Sequence, residues 1–274
     1  MKRIFYCTVI LYGMIAIFFG SCEMFRLDNY DEPAETLKGE ITDVATGEPV
    51  LTDQDGQGIR IRMRELSWQE TETPANFDFN CTKEGAYQNT KVFKGHYNVR
   101  IDGPFIPLVR VNQQGDTLVD ESKYIDIKGV TIQNFQVQPF LKIEWVGEPV
   151  VNANNTITAS FRVIRAVSEA DFRSKIEPMG GWNNNFLEVS DVRLYVSESA
   201  YVGRRENSGS SAFETFNGND FVTSYGFGNT VTLTTGSILR GRTVFVRAAA
   251  RIRYSTEGTS RYNYNLAKRV DMPQ

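Results

Sequence analysis

The stretch Ile59-Arg60-Ile61-Arg62-Met63-Arg64 alternates apolar and cationic side chains without a break. A two-residue period belongs to an extended strand with one dry and one wet face, because successive side chains leave a strand on opposite sides. A helix would need apolar residues three and four apart. The pattern recurs outward from this strand. Upstream, Leu37-Lys38-Gly39-Glu40-Ile41-Thr42 leads into the turn-rich Asp43-Val44-Ala45-Thr46-Gly47-Glu48-Pro49-Val50. Downstream, short runs at 86–90, 96–101, 123–127 and 130–138 are separated by Glu84-Gly85, Lys94-Gly95 and Lys128-Gly129, dipeptides that favour turns.

Pro139 interrupts this series, and the strand pattern then restarts. Leu141, Ile143 and Trp145 alternate with Lys142 and Glu144, which puts Trp145 on the core side. Ile157, Ala159, Phe161 and Val163 form a second amphipathic strand, and Val192, Leu194 and Val196 a third. Val244, Val246, Ala248, Ala250 and Ile252 form a long fourth, with Arg247, Arg251 and Arg253 expected to point outward. A turn over Thr256 to Ser260 leads to a last strand with Tyr262, Tyr264 and Leu266. One short helix is expected over Glu169 to Ile176, behind Ser168. The expected fold is all-β: two consecutive β-sandwich domains, 36–138 and 139–274, with antiparallel strands and few helices.

Composition fits a folded chain and narrows its chemistry. Of 274 residues, 41% are hydrophobic and 23% charged, enough apolar material for a core. The formal charge is −3, whereas a phosphate-tracking protein carries a basic surplus, so no nucleic-acid partner is expected. His96 is the single histidine, and there are three cysteines. This leaves almost no room for zinc sites built from His and Cys, and none for a His-based triad other than one using His96.

The N-terminus reads as an address. Lys2 and Arg3 precede a nearly continuous apolar run from Ile4 to Phe19, short for a membrane span and suited to a signal peptide. It ends in Gly20-Ser21-Cys22, which resembles the lipobox of bacterial lipoproteins. That resemblance implies cleavage after residue 21, a lipidated Cys22, and a mature chain with 28 basic and 33 acidic residues. The acid-rich segment 22–35 is then a tether, either a plain spacer or similar to the surface-export signals of Bacteroidetes lipoproteins. With Cys7 lost in the signal and Cys22 carrying lipid, Cys81 has no disulfide partner within the chain and reads as a buried thiol.

The segment Leu37–Val50, with its Thr-Gly-Glu-Pro turn, resembles the opening of carboxypeptidase-regulatory-like domains, and Gly85-Ala86-Tyr87 with Phe93–Ile101 resembles the paired strands of that family. This implies a transthyretin-like sandwich over about 36–138, extended by an aromatic insertion at 66–80. The closing strands of the second half resemble those of immunoglobulin-like or fibronectin-type sandwiches. The whole order resembles a family of Bacteroidetes lipoproteins carrying domain of unknown function 3823. The resemblance implies an outer-membrane, surface-exposed lipoprotein encoded with starch-utilisation-type glycan uptake systems.

Catalytic motifs are sparse. His96 lies in a strand, where a structural role is expected. There is neither a Gly-x-Ser-x-Gly elbow nor a phosphate-cradling glycine loop before a helix. Asp53-Gln54-Asp55-Gly56-Gln57-Gly58 lacks the later acidic ligands of a calcium loop and reads as a turn. No catalytic site, metal or cofactor is therefore expected. Aromatics make up 12% of the chain, and an aromatic plane can cover the apolar C–H face of a sugar. Trp182, in the loop Met179-Gly180-Gly181-Trp182-Asn183-Asn184-Asn185-Phe186, reads either as a sugar platform with Asn183 and Asn184 beside it or as a plug closing one end of the sandwich. Trp68, at the head of the insertion, is a second candidate platform, and the aromatic stretch 198–229 a third region to search. Two functions remain open: a non-catalytic lipoprotein binding polysaccharide or oligosaccharide for an outer-membrane transporter, or a structural subunit contacting the transporter or other outer-membrane proteins. Exposed aromatics in a concave patch favour the first; large flat apolar patches favour the second.

Overall fold

Ten strands build the first sandwich: β1 (Glu35–Asp43), β2 (Arg60–Glu65), β3 (Asn76–Asn80), β4 (Ala86–Val92), β5 (Gly95–Asp102), β6 (Val109–Val111), β7 (Thr117–Asp120), β8 (Lys123–Ile127), β9 (Val130–Ile132) and β10 (Phe135–Val137). The structure is a computed structural model that describes residues 32–67 and 74–274. Cys22 and Trp68 lie outside the described residues. In one sheet β1 pairs antiparallel with β4 and parallel with β9 and β10. The other sheet runs β3-β2-β5-β8, all antiparallel, and β6 and β7 form a separate hairpin. The alternation in β2 is realised as expected: Ile61 and Met63 are buried with Leu37, Ile41, Val99, Ile101 and Phe135, while the arginines take the opposite face. Gly39 is required here, because a Cβ at this position would sit 1.9 Å from the carbonyl oxygen of Gln133 as the chain crosses beside β1.

Part of the insertion 66–80 is strand. Phe77 and Phe79 alternate with Asn76, Asp78 and Asn80, and this segment pairs along β2 as the edge strand β3. The run expected at 130–138 is broken at Gln133 and Asn134 into β9 and β10.

The second sandwich comprises β11 (Leu141–Trp145), β12 (Val150–Val151), β13 (Ile157–Arg165), β14 (Val189–Ser197), β15 (Ala212–Thr215), β16 (Thr230–Thr234), β17 (Thr243–Ile252), β18 (Asn263–Tyr264) and β19 (Lys268–Asp271). One sheet centres on β13, flanked by β11, β12 and β16. The other runs β15-β14-β17, with β18 and β19 along the far edge of β17. First, second and fifth major strands thus oppose third, fourth, sixth and last, the distribution of a fibronectin-type sandwich. Helix α1 (Glu169–Ile176) falls where the sequence placed it: the Ser168 hydroxyl accepts the Asp171 amide at 3.1 Å, and Phe172 and Ile176 face the core. A short helix α2 (Asp220–Ser224) and β15 occupy the stretch 198–229.

The outward face of β17 corrects the sequence reading. Val244, Val246, Ala248, Ala250 and Ile252 are buried as expected, but Arg247 is only 2% exposed, and Arg251 and Arg253 are half-buried. The period of two identified the inner face correctly. The outer face is also covered, by Tyr262 and Tyr264 and, at Arg247, by the first sandwich. The Arg247 guanidinium donates to the carbonyls of Asn265 (2.8 Å), Val202 (3.4 Å) and Lys83 (3.3 Å), and lies 4.3 Å from the Tyr264 ring centroid.

Further bonds tie the sandwiches together within the unit Ala34–Gln274. Asp53, 1% exposed, accepts from the Tyr264 hydroxyl and the Arg204 amide, each at 2.8 Å. Thr256 donates to the Gly103 carbonyl, and Arg261 pairs with Asp102 at 2.8 Å. The segment 53–58 is a turn, with a single 3-10 turn at Asp55–Gln57, but its first carboxylate is a buried structural acceptor. Cys81 is a buried free thiol, and burial raises its pKa. His96 Nδ1 lies 2.7 Å from Asp126, and its ring stacks near Tyr124.

Candidate functional site

The sequence candidates occupy different settings. The loop carrying Trp182 turns on Gly180 and Gly181, both with positive φ. A Cβ on Gly180 would meet the Gln113 side chain at 2.7 Å, so the loop is held closely against the β6–β7 turn. Trp182 is half-buried. Its ring meets Phe172 and Phe186, at centroid distances of 6.1 and 5.7 Å, and Arg173 stands 5.3 Å from its centroid. The indole N–H donates to Asn184 Oδ1 at 2.8 Å, and Asn183 Oδ1 accepts the Asn185 amide. Both side-chain oxygens are therefore engaged in shaping the loop. The aromatic group extends inward through Phe172 to Tyr254 and Phe140.

A concave site lies instead where the sandwiches meet, a cleft of about 330 Å³. One wall is the Thr46-Gly47-Glu48-Pro49 turn. It is fixed by Asp43, whose carboxylate accepts the Ala45 amide at 2.9 Å, while Gly47 takes φ +72. The facing wall is β11, with Lys142, Glu144 and Trp145. Lys142 bridges the walls, 3.4 Å from Glu48 and 3.2 Å from Glu144, and the Glu144 bond is the main reason its pKa is raised. The floor is Asn263-Tyr264-Asn265-Leu266.

Two groups give this cleft chemical character. Trp145 is half-buried, meets Phe161 in a T-shaped contact, carries the Lys268 ammonium 5.5 Å from its ring centroid, and donates its indole N–H to the Leu266 carbonyl at 2.8 Å. It packs against the core of the second sandwich, as strand parity implied, and from the end of β11 it also lines the cleft. Asn265 is 4% exposed. Its Oδ1 accepts the Ala248 amide at 2.9 Å, but its enclosed Nδ2 has no hydrogen-bond partner among the described residues. A buried donor without a partner is costly, at about 1–3 kcal/mol. Sequence reading missed both residues as site members; the polar alternation Asn263-Tyr264-Asn265 was the available signal. Among the described residues no cluster of His, Cys, Asp and Glu could hold a metal ion.

Two stacked sandwiches with an aromatic cleft between them define the class: an all-β two-sandwich protein. No family model matches the chain, and no curated protein matches it. Among solved structures, it is 48% identical to a DUF3823 family protein from Bacteroides uniformis, with a TM-score of 0.84 over 88% of this chain and all of that one. The chain belongs to the DUF3823 family. A second Bacteroides uniformis structure, named "a putative carbohydrate binding protein", is 22% identical with a TM-score of 0.60 over the same shares. A DUF3823 family protein from Parabacteroides merdae is 16% identical, with a TM-score of 0.58, and likewise shares the fold.

Proposed function

We propose that this protein is a non-catalytic lipoprotein that binds polysaccharide or oligosaccharide in the Trp145 cleft, as an accessory of a glycan uptake system. The observation that carries the reading is the Trp145 indole set in one cleft with Lys142, Glu48 and Glu144. An indole covers the apolar face of a pyranose, and polar groups beside it bond the hydroxyls. Glu48 and Glu144 share the Lys142 ammonium, so they serve as acceptors for sugar hydroxyls rather than as an acid–base pair. The naming of one fold neighbour as carbohydrate binding is in line with this.

The proposed location is the cell surface, with Cys22 lipidated in the outer membrane and segment 22–35 as tether. Multiple acyl chains make such anchoring stable. Cys22→Ala is expected to move the protein from the detergent phase to the aqueous phase in a phase-partition assay; unchanged partition would remove the anchor.

Val130 and Ile132 on β9, each 64% exposed, favour a second reading, a docking role towards transporter or outer-membrane partners. Affinity electrophoresis against a panel of polysaccharides separates the two. Glycan binding predicts retardation of the wild type by at least one polysaccharide and loss of that retardation in Trp145→Ala. No retardation across the panel would leave the docking role.

A further inference from the structure

A second cavity between the sandwiches, of about 170 Å³, is walled by Arg62, Arg100, Leu108, Tyr254 and Glu257. It shares no lining residue with the Trp145 cleft. Arg62 and Arg100 are direct partners in the β2–β5 register, both on the polar face of that sheet. Like charges directly opposite across an antiparallel pair are destabilising, with Cβ atoms only about 5 Å apart. Arg62 is neutralised by Asp78 through two bonds of 2.8 Å. The Arg100 side chain makes no hydrogen bond and no ion pair among the described residues. Burial pulls its pKa down, and Glu257 and Asp102 act on it only at longer range.

The surrounding charges do not cancel. Asp102 is already held by Arg60 and Arg261. Glu257 sits at a loop tip with positive φ, half-exposed, and reaches Arg62 and Arg60 at only 3.6 and 3.8 Å. Arg60, Arg62, Arg64, Arg100 and Arg261 thus face Asp78, Asp102 and Glu257, an excess of two positive charges. A half-buried guanidinium with no partner, beside a second guanidinium in a cavity, is a fork for an oxyanion, since guanidinium geometry matches two oxygens of one group.

We propose that this cavity binds an oxyanion carried on a sugar, a uronate carboxylate or a sulfate ester. That the anion is borne by carbohydrate rests on the glycan-binding reading above. The oxyanion lies between Arg100 and Arg62, the Tyr254 ring and Leu108 meet the apolar side of the sugar, and Glu257 gives up its long contact with Arg62. Charged residues of an acidic polysaccharide would be selected here, independently of stacking at Trp145.

Calorimetric titration tests this with trigalacturonic acid, its neutral methyl ester and a sulfated disaccharide. The wild type is expected to bind the acid, the sulfated sugar or both, and not the ester at this site. Arg100→Met should lower that affinity at least tenfold while leaving the melting temperature unchanged or raised, because the replaced cation has no partner to lose. Glu257→Gln should strengthen binding by removing a competing carboxylate. Binding of the acid alone assigns the site to uronates, and of the sulfated sugar alone to sulfate esters. If neither anion binds, or if Arg100→Met binds as the wild type does, the inference fails. Neutral-glycan binding that depends on Trp145 would then still stand, so the two readings fall separately.

Discussion

Arg247→Ala is expected to lose about 3–5 kcal/mol of stability, since it takes a charged donor from three carbonyls at about 1–3 kcal/mol for each one left unsatisfied. At about 2–4 °C per kcal/mol for a chain of this size, the melting temperature should fall by on the order of 10 °C. Arg247 is the largest fully buried side chain among the described residues. Its removal leaves the carbonyls of Asn265, Val202 and Lys83 short of a donor, and uncovers the Tyr264 ring it lies against. Lys83 belongs to the first sandwich and the other two to the second, so the loss falls on the contact between them. Thermal unfolding followed by circular dichroism measures it. A shift of under about 2 °C would mean that the guanidinium is replaceable by water and that the sandwiches do not depend on it.

Asp191→Ala should be comparably damaging. Asp191 is 1% exposed at the start of β14 and accepts from Arg251 at 2.6 Å, from Arg193 at 2.9 Å and from the Tyr262 hydroxyl. Burial alone would raise its pKa, but the bonds from Tyr262, Arg251 and Arg193 outweigh burial and hold the carboxyl below its ordinary range. Truncation strands two guanidinia without a counterion, which costs about 3–5 kcal/mol when such a pair is buried, and somewhat less here because both arginines are partly exposed. The sign of the pH dependence follows from the lowered pKa. The contribution is complete above the unfolded value, about 3.9, and is lost as pH falls through the lower folded value. The stability gap between wild type and Asp191→Asn should therefore be constant at neutral pH and shrink below about pH 4. A gap that stays constant into strong acid would contradict the charged role.

The two networks show where the sequence was legible. Ile59–Arg64 and the helix behind Ser168 were readable because one face of each meets the core and the other is polar, so the local period carries the answer. In β3 the alternation of Phe77 and Phe79 with Asn76, Asp78 and Asn80 was equally present, but the segment was read only as an aromatic insertion and no strand was assigned to it. β17 failed for a different reason. Its apolar residues marked the inner face, yet Arg247 and Ala249 on the other face are buried as well, because a second layer covers that side. Periodicity reports which residues share a face; it does not report what lies over a polar one. The Trp145 cleft was illegible for the same reason. Its walls come from residues 43–51, 139–145 and 263–266, and only folding brings them together.

The central claim is that Trp145, rather than Trp182, carries glycan recognition, and one calorimetric comparison addresses it. The polysaccharide that retards the wild type is titrated into wild type, Trp145→Ala and Trp182→Ala, with melting temperatures recorded for all three. The account predicts an affinity loss of about tenfold or more, on the order of 1.4 kcal/mol, for Trp145→Ala. Trp182→Ala should keep wild-type affinity but melt lower, because its ring packs on Phe172 and Phe186. The reverse result, with binding lost in Trp182→Ala at unchanged melting temperature and retained in Trp145→Ala, would contradict the account and move the site to the Gly180–Asn185 loop.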